Sequence, residues 1–329
     1  MEKTKVSILV PIYNVEKYIK QCIHSLFVQT YQEIEYIFID DCSTDNSMAI
    51  LRQYITKYPH KKSQIKIIKH EHNKGIAAAR NTALDNAHGD FILFVDSDDW
   101  LEFNAIEKLV KKQSEEDADI VIFSAIHHFS DHNEIRTVRN INNPNILAQE
   151  ILKRKATVYL WNKFIRLSIF KDNDVRTIEG INMTEDFLIT PRLAYFANKI
   201  TTLNEPLYHY NRQNEASYSF FMTEEKLDAI WLTLDYNEKF FKNKGDVFNS
   251  AINEGKVNML IRQIIIVCTL KNKSYYNKLR KKKLTFKIEN MSQYGKIEKL
   301  LIGINNYYIS RIITLFIPYI NKIRSIISN

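Results

Sequence analysis

The chain has 329 residues, of which 45% are hydrophobic and 26% are charged. This length suffices for one large domain or two smaller ones, and the apolar content excludes a wholly disordered chain. The three cysteines (Cys22, Cys42 and Cys268) are widely spaced and odd in number, which argues against a disulfide framework and for a reducing compartment. The N-terminus lacks the long apolar region of a signal peptide, so a cytoplasmic location is predicted.

The net charge of +8 is concentrated in the last third of the chain. Residues 1–220 carry 27 Lys and Arg against 29 Asp and Glu, whereas residues 221–329 carry 19 against 9. An acidic partner is therefore expected at the C-terminal third. No motif that reads nucleic acid accompanies this charge, so nucleic acid is not the expected partner.

Short apolar segments alternate with helical patterns along the first 125 residues. This alternation predicts βαβ units and an α/β fold with a mostly parallel, Rossmann-type sheet flanked by helices. The polar stretch from Ser130 to Pro144 is predicted to be a long loop. Buried strands are predicted at Val6–Ile12, Tyr36–Ile39, Ile65–Ile68, Phe91–Val95 and Ile120–Phe123.

Two acidic clusters follow directly after predicted strands: Asp40-Asp41, and Asp96-Ser97-Asp98-Asp99. Ligands of parallel α/β sheets bind beyond the carboxyl ends of the strands, so both clusters are expected at a ligand site. The carboxylates of the second cluster, with no Cys or His nearby in sequence, suit Mg²⁺ or Mn²⁺ bound together with a diphosphate. The alternative is a solvated turn whose aspartates cap a helix.

Two further side chains near the strand ends have more than one interpretation. Tyr13 follows the first strand, where it could stack on a nucleobase or pack on the rim of the sheet. Arg80 lies one turn into the alanine-rich helix predicted over residues 76–87, where it could bind a phosphate or pair with a buried aspartate. The sequence has neither G-x-x-x-x-G-K-[ST] nor G-x-G-x-x-G, so the common glycine-rich phosphate loops are excluded.

Four segments in chain order form a recognisable set of motifs: Val6–Asn14, Ile39–Asp45, Asn73–Asn81 and Phe94–Asp99. Weaker matches follow at Trp161-Asn162-Lys163, Glu179-Gly180, Glu185-Asp186 and Pro206–Tyr210. Together these motifs resemble the family 2 glycosyltransferases with a GT-A fold, and the similarity continues to about residue 220. The resemblance implies a nucleotide-sugar glycosyltransferase domain over residues 1–220, of the bacterial type that builds capsule, exopolysaccharide or O-antigen.

The resemblance also implies a role for individual residues. It places Pro11, Tyr13 and Asp41 around a uracil-type base and Arg80 beside the base and phosphates. Asp96 and Asp98 would form the D-x-D pair, with Asp98 the direct ligand of Mg²⁺ or Mn²⁺. Asp186 would be the catalytic base.

The reaction implied is inverting transfer of a hexosyl or N-acetylhexosaminyl group from a UDP-sugar to a hydroxyl of a glycan or lipid-linked acceptor. Displacing a nucleoside diphosphate requires charge stabilisation by a metal and a carboxylate that accepts the acceptor's proton. On the residues alone, the alternative role for Asp186 is that of an acid at a helix N-terminus. A sugar-nucleotide pyrophosphorylase and a non-catalytic scaffold protein are the rival functions. The first would have a Gly-rich, Arg-containing loop after the first strand, and the second would have lost Asp98 or Asp186.

Two positions depart from the family pattern. Cys42 stands where the family usually has glycine, which predicts a loop of different shape. Glu215-Ala216-Ser217 replaces a common glycine–serine turn on the acceptor side, which leaves the acceptor contacts open.

Residues 221–329 are predicted to form a basic helical extension. A dense lysine cluster spans Lys271–Lys287, and Ile309, Ile312, Ile313, Phe316, Ile320, Ile323 and Ile327 recur at helical spacing. Pro318 and the charges of Arg311, Lys322 and Arg324 interrupt any apolar run long enough to span a bilayer. The extension is therefore expected either to bind an anionic membrane surface, at the cytoplasmic face of the inner membrane, or to pack as helices on the catalytic domain or a partner.

Overall fold

A computed structural model describes residues 3–214, 222–283 and 291–327, without the side chains of residues 291 and 318–327. The chain divides into two compact units. The first comprises Met1–Ile151 and Ala156–Met222, and the second comprises Leu152–Lys155 and Thr223–Asn329. The boundary predicted at residues 220–221 falls in a segment that lies outside the described residues, as does the Glu215-Ala216-Ser217 turn.

The first unit is built on a mixed sheet, in which β7 pairs with β6 and the other strands follow the order β3-β2-β1-β4-β8-β6-β9-β5. Its strands are β1 (Val6–Ile12), β2 (Ile34–Asp40), β3 (Ile65–Lys69), β4 (Phe91–Phe94), β5 (Trp100–Leu101), β6 (Ile120–His128), β7 (Asn133–Arg136), β8 (Lys163–Arg166) and β9 (Ile200–Asn211). Its helices are α1 (Ile19–Phe27), α2 (Ser47–Lys57), α3 (Ile76–Asp85), α4 (Ala105–Glu116), α5 (Pro144–Leu152), α6 (Leu167–Asp172) and α7 (Glu185–Phe196).

The predicted parallel arrangement holds for the strands that come first in the chain. β1 pairs in parallel with both β2 and β4, and β2 pairs in parallel with β3. All seven residues of β1 are buried, as expected of a parallel strand covered on both faces. The carboxyl ends of β1, β2 and β4 therefore meet at one edge of the sheet, where both acidic clusters follow.

The long loop predicted between Ser130 and Pro144 is partly wrong, because it contains β7. β6 continues five residues past its predicted end, and β7 pairs antiparallel with this extension, with His128 opposite Asn133 and Ala125 opposite Arg136. The four residues of β7 are polar or partly exposed at the sheet edge. Charged edge strands lack the apolar alternation by which strands are recognised in a sequence.

The second unit is helical, as the sequence predicts. Helix α9 packs against α8, α10, α11 and α12. Within the described residues, no helix has the length and apolar character needed to cross a membrane. The helices are α8 (Glu224–Phe241), α9 (Asp246–Thr269), α10 (Lys273–Lys283), α11 (Lys296–Gly303) and α12 (Tyr307–Ile327).

Candidate active site

The acidic loop after β4 is anchored by its last residue, Asp99. The Asp99 side chain is fully buried and accepts hydrogen bonds from the Tyr208 hydroxyl and the Asn211 backbone N–H, both at 2.7 Å. The Tyr208 hydroxyl in turn accepts a 3.0 Å hydrogen bond from the backbone N–H of Asp96. Asp99 therefore holds the loop against β9, and its carboxylate oxygens are engaged by the protein itself.

Asp96 and Asp98 are the carboxylates of this loop that suit a divalent cation. Asp98 Oδ2 accepts a 2.8 Å hydrogen bond from Asn214, and Asp96 Oδ1 pairs with Arg80 at 3.2 Å. Burial and the neighbouring Asp96 charge raise the pKa of Asp98 to about 6.

The crowding of negative charge is a reason for a cation here, because a bound ion would offset the repulsion that raises this pKa. Among the described residues, no group of three or more His, Cys, Asp or Glu side chains forms a metal cage. Magnesium commonly binds one or two carboxylates and completes its coordination with substrate phosphates and water. The two carboxylates Asp96 and Asp98 therefore fit Mg²⁺ or Mn²⁺ that arrives with a diphosphate.

Arg80 connects this loop to a second pair of acids. Its guanidinium is buried and forms ion pairs with Asp96, Glu185 and Asp186. The arrangement matches the buried Arg–Asp pair that the sequence leaves open as the alternative to a phosphate contact. Arg80 lies on α3 and reaches across to α7. Its guanidinium therefore pairs with both Asp96 and Asp186, although 90 positions separate these two residues in the chain.

Asp186 is the second residue of α7, which begins directly after Thr184, a residue with a left-handed backbone at a φ of 64°. One carboxylate oxygen pairs with Arg80, and the other accepts a 3.3 Å hydrogen bond from the backbone N–H of Leu160. Burial raises the pKa of Asp186 above the usual aspartate value and raises that of Glu185 to about 8. A carboxylate with a raised pKa is a better proton acceptor near neutral pH, which suits a general base.

Asp41 holds the loop that leads into α3. Its carboxylate oxygens accept 2.8 Å hydrogen bonds from the backbone N–H groups of Lys74 and Gly75, and His70 Nδ1 lies 2.7 Å from the same carboxylate. His70 also contacts the Thr82 hydroxyl at 2.9 Å through Nε2. Asp41 thus supports the start of the helix that carries Arg80. The sequence does not indicate this supporting role of His70, because its partners Asp41 and Thr82 lie 29 and 12 positions away in the chain.

Pro11 and Tyr13 lie at the end of β1, beside the end of β2. Pro11 is buried opposite Ile39, while Tyr13 exposes 47% of its surface. Cys42 has a φ of 63°, the left-handed backbone that glycine favours. Cys42 therefore keeps a left-handed backbone, although it stands where the family usually has glycine.

The structure thus brings Arg80, Asp96 and Asp186 into one ion-pair network, with Asp98 on the same loop as Asp96. Tyr13 and Asp41 occupy the neighbouring ends of β1 and β2. Residues that sequence analysis did not single out for this site are Glu185, Tyr208, Asn214 and Lys163, although Glu185, Tyr208 and Lys163 lie in the weaker motif matches.

Comparison with known proteins shows which family and fold the chain shares. Residues 7–173 match the family described as Glycosyl transferase family 2. The chain is 32% identical over 253 residues to glycosyltransferase GlyG of Streptococcus pneumoniae serotype 4, a match covering 73% of this chain and 80% of GlyG. It is 30% identical over 223 residues to the poly(ribitol-phosphate) beta-N-acetylglucosaminyltransferase TarS of Staphylococcus aureus, covering 65% of this chain. That match spans only 36% of TarS.

Two solved structures show the same fold. The crystal structure of S. aureus TarS 1–349 in complex with UDP-GlcNAc superimposes with a TM-score of 0.62 at 26% identity, covering 76% of this chain and 72% of that one. The mannosyltransferase PcManGT from Pyrobaculum calidifontis, in complex with GDP-Man and Mn²⁺, covers 95% of this chain and 87% of its own at a TM-score of 0.56 and 14% identity. The GT-A-like α/β fold expected from the sequence is confirmed, and the chain belongs to glycosyl transferase family 2.

Proposed function

We propose that the protein is an inverting glycosyltransferase that moves a hexosyl or N-acetylhexosaminyl group from a UDP-sugar to a hydroxyl of a glycan or lipid-linked acceptor. The observation that carries this proposal is the Arg80 ion-pair network. It joins the carboxylate of Asp96, in the loop suited to a metal and diphosphate, to the carboxylate of Asp186, suited to a general base. TarS, at 26% identity, forms a complex with UDP-GlcNAc, which supports a UDP-sugar donor.

In this proposal the two ends of the donor contact different strands. Pro11, Tyr13 and Asp41 surround the base, with the exposed Tyr13 ring available for stacking. Asp98 and Asp96 would hold Mg²⁺ or Mn²⁺, which would supply positive charge opposite the diphosphate leaving group. Arg80 holds the Asp96 carboxylate in position through their ion pair.

Asp186 accepts the proton of the acceptor hydroxyl as that oxygen attacks the anomeric carbon. The bond to the diphosphate breaks on the opposite face, so the configuration inverts and no covalent sugar–enzyme intermediate forms. Arg80 and the Leu160 N–H hold the carboxylate during this step. Such positioning contributes to catalysis because misplacing a reacting group by about 1 Å can cost about a hundredfold in rate.

We further propose that the protein works in surface polysaccharide synthesis and binds an anionic membrane surface through its second unit. The outward side of α12 supports this, because the exposed fractions of its apolar residues are 48–62% whereas Ser310 and Thr314 are buried. Residues 255–329 carry 15 Lys and Arg against 2 Asp and Glu. A basic surface with exposed apolar side chains suits anionic lipid. The exposed apolar residues are Tyr308, Ile309, Ile312, Leu315 and Phe316.

A panel of UDP-sugars assayed for acceptor-dependent release of UDP, with lipid-linked saccharides as acceptors, tests the proposed reaction. We expect UDP release with at least one donor only when acceptor and Mg²⁺ or Mn²⁺ are both present. Binding of a UDP-sugar without any transfer would instead support a non-catalytic scaffold. Formation of a UDP-sugar from UTP and a sugar phosphate would support the pyrophosphorylase alternative.

A further inference from the structure

Lys163, the first residue of β8, is a buried lysine with a full set of hydrogen bonds. Only 1% of its surface is exposed, and Nζ donates to the carbonyl oxygens of Thr157 at 3.2 Å and Tyr159 at 2.6 Å. A third bond, of 2.9 Å, goes to Asn162 Oδ1. An ammonium group has three N–H donors, so these three acceptors match its capacity.

The segment of residues 157–160 is held from its other side by α7. The Thr190 hydroxyl lies within hydrogen-bond distance of the carbonyl oxygen of Val158, at 2.8 Å, and of the carbonyl oxygen of Asp186. Three consecutive carbonyl groups are therefore fixed: those of residues 157 and 159 by Lys163 and that of residue 158 by Thr190. The next residue is Leu160, whose N–H donates to Asp186 Oδ2.

We infer that Lys163 is a positioning residue for the transfer reaction, since it fixes the segment that directs the Leu160 N–H at the carboxylate of Asp186. This inference rests on the proposed role of Asp186 as the base. Lys163 also places a positive charge near the Asp186 carboxylate, which belongs to the Arg80 ion-pair network with Asp96 and Glu185. That charge counteracts the effect of burial on the Asp186 carboxylate, whose ionised form must be present for proton transfer.

Stability of the fold alone gives little reason for a charge at this position. Burial lowers the pKa of Lys163 to about 7, which reflects the cost of placing an ammonium group away from water. An apolar side chain of similar volume would fill the same space without that cost. An apolar side chain cannot donate hydrogen bonds to the carbonyl groups of Thr157 and Tyr159, which lie on either side of Val158.

The variant Lys163→Met tests this role because methionine keeps the length and loses the donors. We expect kcat to fall by about tenfold or more, with KM for the UDP-sugar changed by less than about twofold, because the base is displaced while the donor site is intact. Lys61→Met is the matched control: Lys61 is also buried, at 2% exposure, in the short 3-10 helix Pro59–Gln64 away from Asp186. It should leave kcat unchanged.

A second variant keeps the inference testable if Lys163→Met does not fold, as judged by circular dichroism and thermal melting. Thr190→Val removes the hydroxyl that holds the Val158 carbonyl and is nearly isosteric. It should lower kcat several-fold, again with little change in KM. If the folded variants keep kcat within about twofold of the parent, or lower kcat while raising KM in proportion, the positioning role is wrong.

Combining Lys163→Met with Asp186→Asn separates this inference from the proposed function. If Lys163 acts through Asp186, adding Lys163→Met to Asp186→Asn should cost less than about a further twofold in kcat, because both changes affect one step. Multiplied losses would contradict the positioning role and leave Asp186 as the base. Normal turnover of Asp186→Asn alone would contradict the proposed function itself, whatever Lys163 does.

Discussion

The Tyr208 hydroxyl lies 2.7 Å from Asp99 Oδ2, although 109 positions separate the two residues in the chain. Through the same hydroxyl, which also accepts from the Asp96 N–H, β9 supports the loop that carries Asp96 and Asp98. Both side chains are fully buried. The geometry of the acidic loop therefore depends on a strand far along the chain.

Tyr208→Phe should destabilise the first unit and reduce activity. It leaves Asp99 Oδ2 and the Asp96 N–H without their partner, and a buried unsatisfied group costs about 1–3 kcal/mol. Urea unfolding should show a loss of this size, and UDP release should fall because the acidic loop is less well held. Tyr58→Phe is the control, because the hydrogen bond between its hydroxyl and His24 is exposed. Equal unfolding midpoints for Tyr208→Phe and the parent would contradict the structural role.

Asp98→Ala should abolish most of the transfer. If Asp98 is the direct ligand of the metal, as proposed, its loss removes the counter-charge of the diphosphate, so the rate should fall by roughly a hundredfold or more. EDTA should have a comparable effect on the parent protein and little further effect on the variant. Retention of Mn²⁺ can be followed directly by electron paramagnetic resonance in the presence of UDP. Activity that survives both the substitution and the chelator would show that no metal is needed.

Asp186→Asn should separate binding from turnover. Asparagine keeps the shape but cannot accept a proton, so calorimetry should show nearly normal binding of the UDP-sugar while kcat falls strongly. Asp131→Asn, an exposed aspartate, serves as the control. If binding and turnover fall together, Asp186 is a structural partner of Arg80 and not the base.

The pH dependence of kcat/KM should reflect the burial of Asp186. Burial raises its pKa, and the base must be ionised to act, so the rate should fall with decreasing pH at values above the ordinary aspartate pKa of about 3.9. The sign follows from proton binding, since lowering the pH through a raised pKa protonates the carboxylate. The measurement is a pH series on the folded protein with a constant donor concentration well below KM. A rate that stays constant down to the ordinary aspartate pKa would exclude a raised pKa for the base.

The protein should bind vesicles that contain anionic lipid, and salt should weaken the binding. Each basic residue near such a surface contributes about 1 kcal/mol, and salt shortens the reach of these charges to a Debye length of about 10 Å at 0.1 M. The double variant Ile312→Ser, Phe316→Ser should co-sediment less, whereas Val247→Ser, exposed to 55% on α9, should behave like the parent.

The vesicle experiment distinguishes the two expectations for the second unit. Full-length protein that stays in the supernatant with anionic vesicles at low salt would contradict membrane attachment and favour packing on a partner. Light scattering of the same samples shows whether the outward face of α12 is covered by a second copy instead. Ile320, Ile323 and Ile327, which were predicted on the same amphipathic face, lie among the residues whose side chains are not described.

The sequence by itself determined the first strands of the sheet and the location of the acidic loops. Strands β1, β2, β4 and β6 are recognisable because a strand covered on both faces must be apolar along most of its length. The edge strand β3 is recognisable by its three isoleucines. Asp41 and Asp96 could then be located by asking where those strands end. The motifs carried the family resemblance, and Asp186 could be assigned through that resemblance alone.

Only the tertiary structure decided which side chains meet. Three sets of contacts join distant parts of the chain. Arg80 pairs with Glu185 and Asp186, and Tyr208 contacts Asp99. Lys163 is connected to Asp186 through the Leu160 N–H. The hydrophobic pattern of a segment predicts whether it forms a strand or a helix, because this choice depends on residues that are close in sequence. Which buried charge pairs with which depends on how the strands and helices pack, and that packing is a property of the whole folded unit.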